Sequence, residues 1–405
     1  MKRTLSAATL APTMLAPRTA LAYDVDEIER RLAGGRGIEG VSKQDLPTPS
    51  LVLDIDALEY NLSRMAEHAQ GAGVDLRPHA KTHKTPEIAR RQLGAGALGV
   101  CAATIREAEA MSAAGIGGLL ITGELVGENK TARLVRLTKK RPETMSTVDS
   151  GEHAEWLSEA AVAAKVELNI MVDIDPVGRR TGIEPGQQAV ALAKKVDSLK
   201  GLKLRGVHGY SGASSHVMSF AARKEHSEKY MGPVLDSYAA MKKAGLPVEI
   251  MSGASTGTYN IDSALDGMTE LQVGSYVFMD VDYRKVGGQS GEVYTDFKPS
   301  LTVLASVMSK NHSDIATVDA GLKAFATDRK FGPEVINLPG VTYGFNGDEH
   351  GRLFLENGGR DVKLGDKVEL IIPHCDPNAN LYDRMYACRG DKVEEVWKIS
   401  ARGHV

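Results

Sequence analysis

The segment "DLRPHAKTHKTPEIARR", residues 75–91, contains the unit whose repetition decides the fold. A short strand-like run passes into a loop, and a helical pattern follows the loop directly. Lys81 lies in that loop, between two histidines. Loops at strand ends carry chemistry in α/β proteins because the strands hold them rigidly. Lys81 is therefore a candidate nucleophile.

The same unit recurs through the first part of the chain. Nine strand-like runs alternate with helical patterns: "SLVLDID", "VDLRPHA", "ALGVCAA", "GLLITGE", "TMSTVD", "VELNIMVDID", "LKLRGVHGY", "VEIMSGAS" and "ELQVGSYVF". Repeated βα units predict a parallel sheet. A closed (β/α)8 barrel and an open doubly wound sheet are the two candidates. We favour the barrel, because no GxGxxG follows the first strand.

From about residue 295 the pattern changes to strand-like runs separated by turns, with few helical patterns between them. These runs are "SLTVLASVMSK", "DIATVDAG", "GRLFLENGG", "KVELIIP" and "EEVWKISA". They predict an antiparallel β domain. A length of 405 residues is consistent with a large α/β domain and a smaller companion.

Composition favours a small-molecule partner. The chain is 42% hydrophobic and 25% charged, and its net charge of −3 gives no reason to expect nucleic acid. Three cysteines lie far apart, so they predict neither a disulfide framework nor a zinc-binding pair: Cys101, Cys375 and Cys388.

The N-terminal residues resemble an export signal. A basic start and a weakly apolar middle precede "ALA" and Tyr23, although two prolines and Arg18 interrupt the apolar region. The alternative is a disordered tail. We expect a periplasmic location if this segment is a signal peptide and a cytoplasmic one otherwise. No other run approaches the roughly 20 apolar residues of a membrane span, so the mature protein is expected to be soluble.

Lys81 has two interpretations. A solvated surface lysine is the commonest fate of this residue type. Here, however, Arg77, His79, His83 and Lys84 place further cationic groups nearby. Like charge and burial lower the pKa of a lysine towards the nucleophilic range, so Lys81 is suited to a Schiff base with a carbonyl compound.

The segment "MSGASTGTYN", residues 251–260, follows an apolar run and contains glycines and hydroxyl residues. Such a turn, at the opening of a helix, offers backbone N–H groups and hydroxyls to a phosphate. An ordinary Gly/Ser loop is the alternative. The segment comes late in the barrel order, where phosphate sites often lie.

The segment "IIPHCDPNANLYD", residues 371–383, contains a candidate metal site. Along an extended strand, His374 and Asp376 would face the same side, and Cys375 the other. An imidazole with a carboxylate suits Mn²⁺, Mg²⁺ or Zn²⁺. The alternative is a turn-forming Asp-Pro beside a core histidine.

Five motifs together resemble a known group: "RPHAKTHK", "HGYSGASSH", "SGASTGT", "GDEHG" and "PHCDPNAN". They look like the D-threonine aldolase and D-serine dehydratase group, pyridoxal-phosphate enzymes of the alanine-racemase fold type III. The resemblance extends from about residue 45 to the C-terminus. It implies a tail or signal peptide at 1–35, a cofactor-binding (β/α)8 barrel at 56–290, and a metal-carrying β domain formed by 36–55 with 291–405. A homodimer is also implied.

The resemblance assigns roles to particular residues. Lys81 would bind the pyridoxal phosphate covalently, and the cofactor phosphate would lie at Gly253, Ser255, Thr256, Gly257 and Thr258, helped by Gly274, Ser275 and Tyr276. Arg179 is similar to an arginine near the cofactor ring, and Tyr210 to a tyrosine of the cofactor pocket. His374 and Asp376 match metal ligands, with Asp348 and His350 close to the metal. His216 matches a catalytic histidine near the substrate hydroxyl.

One position bears on the reaction. In the dehydratases of this group the metal motif resembles His-x-Cys and binds zinc. In the aldolases the motif resembles His-x-Asp, and the ion is one such as Mn²⁺. Asp376 therefore favours metal-activated retro-aldol cleavage of D-threonine and other D-3-hydroxy amino acids to glycine and an aldehyde. The alternatives are a dehydratase of D-serine or 3-hydroxyaspartate, an amino-acid racemase without a metal, and a non-catalytic pyridoxal-phosphate-binding protein.

Overall fold

The computed structural model describes residues 26–28, 30, 41–336, 338–355 and 362–403. Most of the predicted tail or signal peptide, residues 1–35, lies outside the described residues. Among the helices that are described, none is long and apolar enough to cross a membrane.

Eight parallel strands form the barrel. The first strand of the chain, β1 (Ser50–Asp54), precedes them, and they are β2 (Asp75–Leu76), β3 (Cys101–Ala102), β4 (Leu120–Ile121), β5 (Met145–Val148), β6 (Leu168–Asp173), β7 (Leu202–Gly209), β8 (Ile250–Gly253) and β9 (Glu270–Leu271). Neighbours pair in the order β2-β9-β8-β7-β6-β5-β4-β3. A parallel bridge between His79 and Cys101 closes the ring. The predicted barrel is confirmed over the open sheet.

The helices surround the barrel because each has one apolar face. They are α1 (Ile55–Ala72), α2 (Pro86–Gly94), α3 (Ile105–Ala113), α4 (Glu128–Lys140), α5 (Gly151–Ala164), α6 (Gln187–Ser198), α7 (Gly212–Ser215), α8 (Phe220–Lys243), α9 (Tyr259–Asp262) and α10 (Val281–Lys285). In α1, for example, Leu58, Leu62, Met65 and Ala69 recur at helical spacing and are buried. The helix ends at Gly73, whose φ of +69° favours glycine.

The predicted antiparallel β domain is also confirmed. Its strands are β10 (Leu301–Ser309), β11 (Ile315–Val318), β12 (Glu334–Val335), β13 (Thr342–Phe345), β14 (Gly351–Phe354), β15 (Lys367–Ile371), β16 (Arg384–Arg389) and β17 (Lys392–Lys398). Strand β1 lies between β10, which is antiparallel to it, and β16, which is parallel to it. The sequence patterns missed β12, β13 and β16. Strands β12 and β13 lack a continuous apolar run, whereas β16 has a run of four apolar residues, Met385–Cys388, that was not recognised.

One local prediction is wrong. The metal motif does not continue as an extended strand, because β15 ends at Ile371 and a short helix, α11 (Cys375–Asn380), begins after His374. Pro377 falls in the first turn of α11, where a missing backbone N–H costs nothing.

The end of β15 is attached to the barrel at its mouth. The N–H groups of Val281 and Asp282 donate to the carbonyls of Ile372 and Pro373, at 3.1 and 3.2 Å. Asp280, which is fully buried, accepts a 2.8 Å hydrogen bond from the N–H of Cys375. These contacts hold the metal motif over the carboxyl ends of the barrel strands.

A buried ion pair lies inside the barrel near its other end. Arg77 donates to both carboxylate oxygens of Glu270, at 3.0 and 3.1 Å, and to the carbonyl of Gly118. Both side chains are almost fully buried. Removing one partner of such a pair leaves an uncompensated charge.

We therefore expect Glu270→Ala to lower the free energy of unfolding by about 3–5 kcal/mol, because Arg77 cannot lose its charge. The matched control is Glu249→Ala, which breaks the ion pair of Arg205 with a carboxylate that is 75% exposed. That change should cost less than about 1 kcal/mol. Denaturant unfolding of the two variants measures both values, and equal losses would contradict the assignment.

Candidate active site

A cavity of about 240 Å³ lies at the barrel mouth, where the carboxyl ends of the strands meet. Nine predicted site residues line it: Lys81, Tyr210, His216, Ser255, Thr256, Gly274, Ser275, His374 and Asp376. Residues from seven loops after barrel strands and from the β domain thus meet in one place. Active sites of barrels lie at this end.

Lys81 faces Asp376 across the cavity. Its Nζ lies 3.9 Å from one carboxylate oxygen of Asp376 and 5.4 Å from the centre of the Tyr210 ring. Thr82 donates a 3.2 Å hydrogen bond to the other oxygen of Asp376. Burial lowers the pKa of Lys81, but Tyr210 and Asp376 raise it, and the balance is a raised pKa.

The predicted lowering of the Lys81 pKa by neighbouring cations is therefore wrong. Burial lowers the pKa of His79 far below its ordinary value and that of His83 to about 3, so both imidazoles are neutral. Arg77 is paired with Glu270. Lys84 donates to the backbone carbonyls of Lys81 and Asp376. The cation that lowers the pKa of Lys81 is Arg180, which is none of the four predicted ones, and Tyr210 and Asp376 outweigh it.

Two turns face Lys81 and form a polar cradle. Ser255 and Thr256 come from the turn after β8, and Gly274 and Ser275 from the turn after β9. The Oγ1 of Thr256 accepts a 2.9 Å hydrogen bond from the N–H of Tyr276, which links the turns. A Cβ on Gly274 would lie 2.6 Å from the Thr82 hydroxyl, so only glycine leaves this space free.

The other predicted phosphate residues lie behind this cradle. Gly253 and Gly257 allow close packing, since a Cβ would come within 2.3 Å of the Gly209 carbonyl oxygen and 2.2 Å of the Ser215 carbonyl oxygen. Thr258 accepts a 3.2 Å hydrogen bond from the N–H of Ser255. The arrangement fits pyridoxal phosphate: an amine stands on one side, and hydroxyls and small residues stand on the other. The individual cofactor contacts remain predictions.

The predicted Arg179 does not reach the cavity. Asp175 accepts hydrogen bonds from the N–H groups of Gly178 and Arg179, at 2.7 and 2.6 Å, and Arg179 has a φ of +46°. This turn directs Arg179 outward and places Arg180 in the cavity lining, 5.5 Å from the centre of the Tyr210 ring. The arginine that faces the cavity is therefore Arg180.

A chain of three acid–base groups borders the cavity. His208 Nδ1 lies 2.5 Å from Asp173, whose other oxygen accepts a 3.1 Å hydrogen bond from Thr181. Burial would raise the pKa of Asp173, but His208 lowers it, and Asp173 stays ionised. Burial and the neighbouring Asp173 raise the pKa of Glu124 to about 8, so Glu124 carries a proton at neutral pH.

The predicted metal ligands, His374 and Asp376, both line the cavity. The Nδ1 of His374 contacts Asp328 at 2.7 Å, which leaves Nε2 available, as is usual for a histidine ligand. Cys375 is fully buried, and burial and Asp280 raise the pKa of its thiol well above the ordinary value. In the described part of the chain no cluster of three or more ligating side chains exists. The imidazole and the carboxylate fit the ligand types that a divalent ion takes, and the ion itself stays a prediction.

His216 lies beside this pair. Its Nδ1 is 3.3 Å from Asp282, and Arg329 lies 2.8 Å from the same carboxylate oxygen. Burial lowers the pKa of His216, and Arg329, His374 and Lys81 lower it further, against an opposing effect of Asp282. The imidazole is therefore neutral and can accept a proton.

Asp348 and His350 do not line the cavity. The prediction that they lie close to the metal site is therefore wrong for the residues of a single chain. They belong to the turn between β13 and β14, where Asp348 is exposed. The N–H groups of Leu322 and Lys323 hold this turn by donating to the carbonyls of Gly347 and Asp348, at 3.1 and 3.0 Å.

Comparison with known proteins identifies the family. The family described as "Alanine racemase, N-terminal domain" matches residues 53–282, and the one described as "Putative serine dehydratase domain" matches residues 300–388. The chain belongs to the alanine racemase N-terminal domain family. Enzymes of this fold type use pyridoxal phosphate.

Individual relatives narrow the type of reaction. The enzyme is 38% identical to the D-threonine aldolase of an Arthrobacter species over 360 residues, 88% of this chain and 93% of the relative. It is 36% identical to the 3-hydroxy-D-aspartate aldolase of Paracoccus denitrificans (strain Pd 1222) over 370 residues, 90% of this chain and 95% of the relative. The crystal structure of D-threonine aldolase from Filomicrobium marinum has a TM-score of 0.85 at 38% identity and covers 90% of this chain and 98% of that one. The enzyme is a lyase of the aldolase type, as the motifs predicted.

Several residues of the site were missed from sequence. His208 and Asp173 end adjacent strands, and a polar residue at the end of a buried strand was a usable signal. Arg180 was recognised only as the neighbour of Arg179. Asp280 and Asp328 gave no signal, because their contacts with α11 and His374 join segments distant in sequence.

The pKa of Glu124 predicts a pH effect on stability. Its folded-state value of about 8 exceeds the ordinary 4.5, so between these values the folded state binds the extra proton and stability falls as pH rises. Glu124→Gln removes this titration. The Tm of the variant minus the Tm of the wild type should therefore increase from pH 5 to pH 8 and then level off. Glu159→Gln, at an exposed position, is the control, and a pH-independent difference for Glu124→Gln would contradict the prediction.

Proposed function

We propose that the enzyme cleaves D-threonine and other D-3-hydroxy amino acids to glycine and an aldehyde, with pyridoxal phosphate and a divalent ion at His374 and Asp376. Mn²⁺ is the ion that this ligand pair favours, with Mg²⁺ or Zn²⁺ as alternatives. The relatives named D-threonine aldolase and 3-hydroxy-D-aspartate aldolase support cleavage of a D-configured 3-hydroxy amino acid.

One observation carries the choice between aldolase and dehydratase. The side chain that reaches the cavity two residues after His374 is the carboxylate of Asp376, and it lies 3.9 Å from Lys81. The adjacent thiol of Cys375 is buried away from the cavity, and its raised pKa keeps it protonated. A hard oxygen ligand suits an ion that exchanges substrate oxygens, whereas a thiolate selects zinc.

Each residue then has a defined task. Pyridoxal phosphate, when bound, accepts the electron pair released from the Cα–Cβ bond. Lys81 would hold the cofactor through its side-chain amine. His374 and Asp376 would hold the ion, which would supply the lowering of the 3-hydroxyl pKa. His216, neutral and beside them, accepts the hydroxyl proton.

The surrounding contacts orient these groups. Thr82 fixes one oxygen of Asp376 at 3.2 Å, and Asp328 fixes the ring of His374 at 2.7 Å. Asp282 stands between His216 and Arg329, which keeps the imidazole in place. A racemase would not need this assembly, because proton exchange at Cα requires no group at the substrate hydroxyl.

The test is the product of D-threonine with added cofactor and Mn²⁺. We expect glycine and acetaldehyde, and a loss of activity of at least about a hundredfold on chelation or in Asp376→Ala, because the hydroxyl then keeps its high pKa. Mass spectrometry of derivatised products separates these from 2-oxobutanoate and ammonia.

Three controls sharpen this test. Lys81→Ala should show no turnover, and L-threonine should not react. Cys375→Ser should retain activity, because its thiol does not face the cavity. Dominant 2-oxo acid formation, or full cleavage by chelated enzyme, would exclude the aldolase.

We also propose a homodimer, which the family resemblance supports. Its expected mass in solution is twice the 43.4 kDa of the chain. Light scattering at micromolar concentration measures this mass, and a fully active monomer would contradict the proposed homodimer.

A further inference from the structure

Arg223 is a fully buried cation held by backbone carbonyls. Its Nε donates to the carbonyl of Gly257 at 2.7 Å, and its Nη2 to that of Gly287 at 2.7 Å. Nη1 donates at 2.9 Å to the carbonyls of both Val217 and Val286. Within the described ranges no carboxylate lies within ion-pair distance of this guanidinium. All three nitrogen atoms donate hydrogen bonds, and the carboxylate of Asp296 acts on the guanidinium only from beyond ion-pair distance.

An uncompensated buried charge is costly, and arginine cannot reduce the cost by releasing its proton. The rings of Phe220 and Tyr294, at 5.8 and 5.7 Å from the guanidinium carbon, offset part of this cost. Arg77, the other arginine buried in the barrel, has Glu270 as its partner. Arg223 therefore differs from Arg77, because no carboxylate of the described residues lies within ion-pair distance of it.

The position of Arg223 indicates where its counter-charge belongs. Gly257, which it contacts, lies in the turn that presents Ser255 and Thr256 to the cavity. The buried acid of this turn, Asp262, accepts 2.5 Å hydrogen bonds from the hydroxyls of Ser227 and Thr258 and not from Arg223. The charge thus lies behind the predicted phosphate cradle, one residue from its lining.

We propose that Arg223 provides the positive charge that balances the cofactor phosphate, acting through the turn without touching the ligand. Arg223 is then a positioning residue that makes the site select the phosphorylated over the unphosphorylated cofactor. Its second effect is mechanical. By binding carbonyls on both sides of the turn, at Val217 and at Val286, it keeps the cradle formed before the cofactor arrives. This inference rests on the cofactor of the proposed function.

The experiment compares pyridoxal phosphate with pyridoxal as ligands of the apoenzyme. Dissociation constants from equilibrium dialysis are measured for wild type, Arg223→Gln and Arg223→Lys. We expect Arg223→Gln to reduce the preference for the phosphorylated form by at least about tenfold, because a buried charge acts over several ångströms in a medium of low dielectric constant. Arg223→Lys, which keeps the cation, should retain most of the preference.

The control is Ser227→Ala, one helical turn further along α8. This change removes the hydrogen bond that the Ser227 hydroxyl donates to Asp262, but it removes no charge. It should weaken both ligands by the same factor. If Arg223→Gln also weakens both equally, Arg223 is only a structural clamp and the inference fails. A wild-type protein that binds neither ligand would overturn the cofactor assignment together with the inference.

A second measurement covers the case in which Arg223→Gln does not fold. Inorganic phosphate is added to the apoenzymes of wild type and Arg223→Lys, and Tm is followed. We expect phosphate to raise Tm in both, because it supplies the missing counter-charge. Ser227→Ala is measured at the same phosphate concentrations as the control. If phosphate raises the Tm of neither this variant nor the wild-type apoenzyme, the inference is contradicted.

Discussion

The contact between Lys81 and Asp376 is the constraint on which the site depends. Lys81 follows the first barrel strand, whereas Asp376 comes from the β domain almost 300 residues later, and their charged atoms lie 3.9 Å apart. The barrel and the β domain must therefore pack against each other in a well-defined position. The junction achieves this with backbone hydrogen bonds from Val281 and Asp282 and with the buried carboxylate of Asp280. Asp280 accepts a hydrogen bond from the N–H of Cys375, which lies between His374 and Asp376, and so helps to fix the backbone that carries both side chains.

Charge in the site is controlled by burial. His79 and His83 flank Lys81 but are neutral, because desolvation lowers the pKa of both. Glu124 keeps its proton beside Asp173, so the neighbouring carboxyl groups need not both be charged. The opposite holds for Arg77 and Arg223, which stay charged wherever they lie. Arg77 is matched by Glu270, whereas Arg223, behind the cradle, has no carboxylate within ion-pair distance in the described part of the chain.

Division of the site between barrel and β domain also separates two kinds of chemistry. The barrel loops carry the amine, hydroxyls and small residues that suit a phosphorylated aldehyde. The β domain contributes the imidazole and carboxylate that suit a metal ion. His216, on a barrel loop, lies between the two sets, and its contact with Asp282 links it to the helix that joins the domains.

Resemblance to a known family supplied Tyr210, His216, Gly274 and Ser275 of the cavity lining. The local patterns of the sequence by themselves determined the nine strand runs, the barrel, the β domain and five further lining residues, Lys81, Ser255, Thr256, His374 and Asp376. These depend on local patterns: apolar runs of strand length, and polar residues directly after them. Tertiary structure alone decided the rest. The turn at Asp175 placed Arg180 rather than Arg179 in the cavity, and α11 turned Cys375 inward. It likewise assembled Glu124, Asp173 and His208 and surrounded Arg223 with backbone carbonyls. Contacts between distant segments follow from strand register and domain packing, which no short stretch of sequence records.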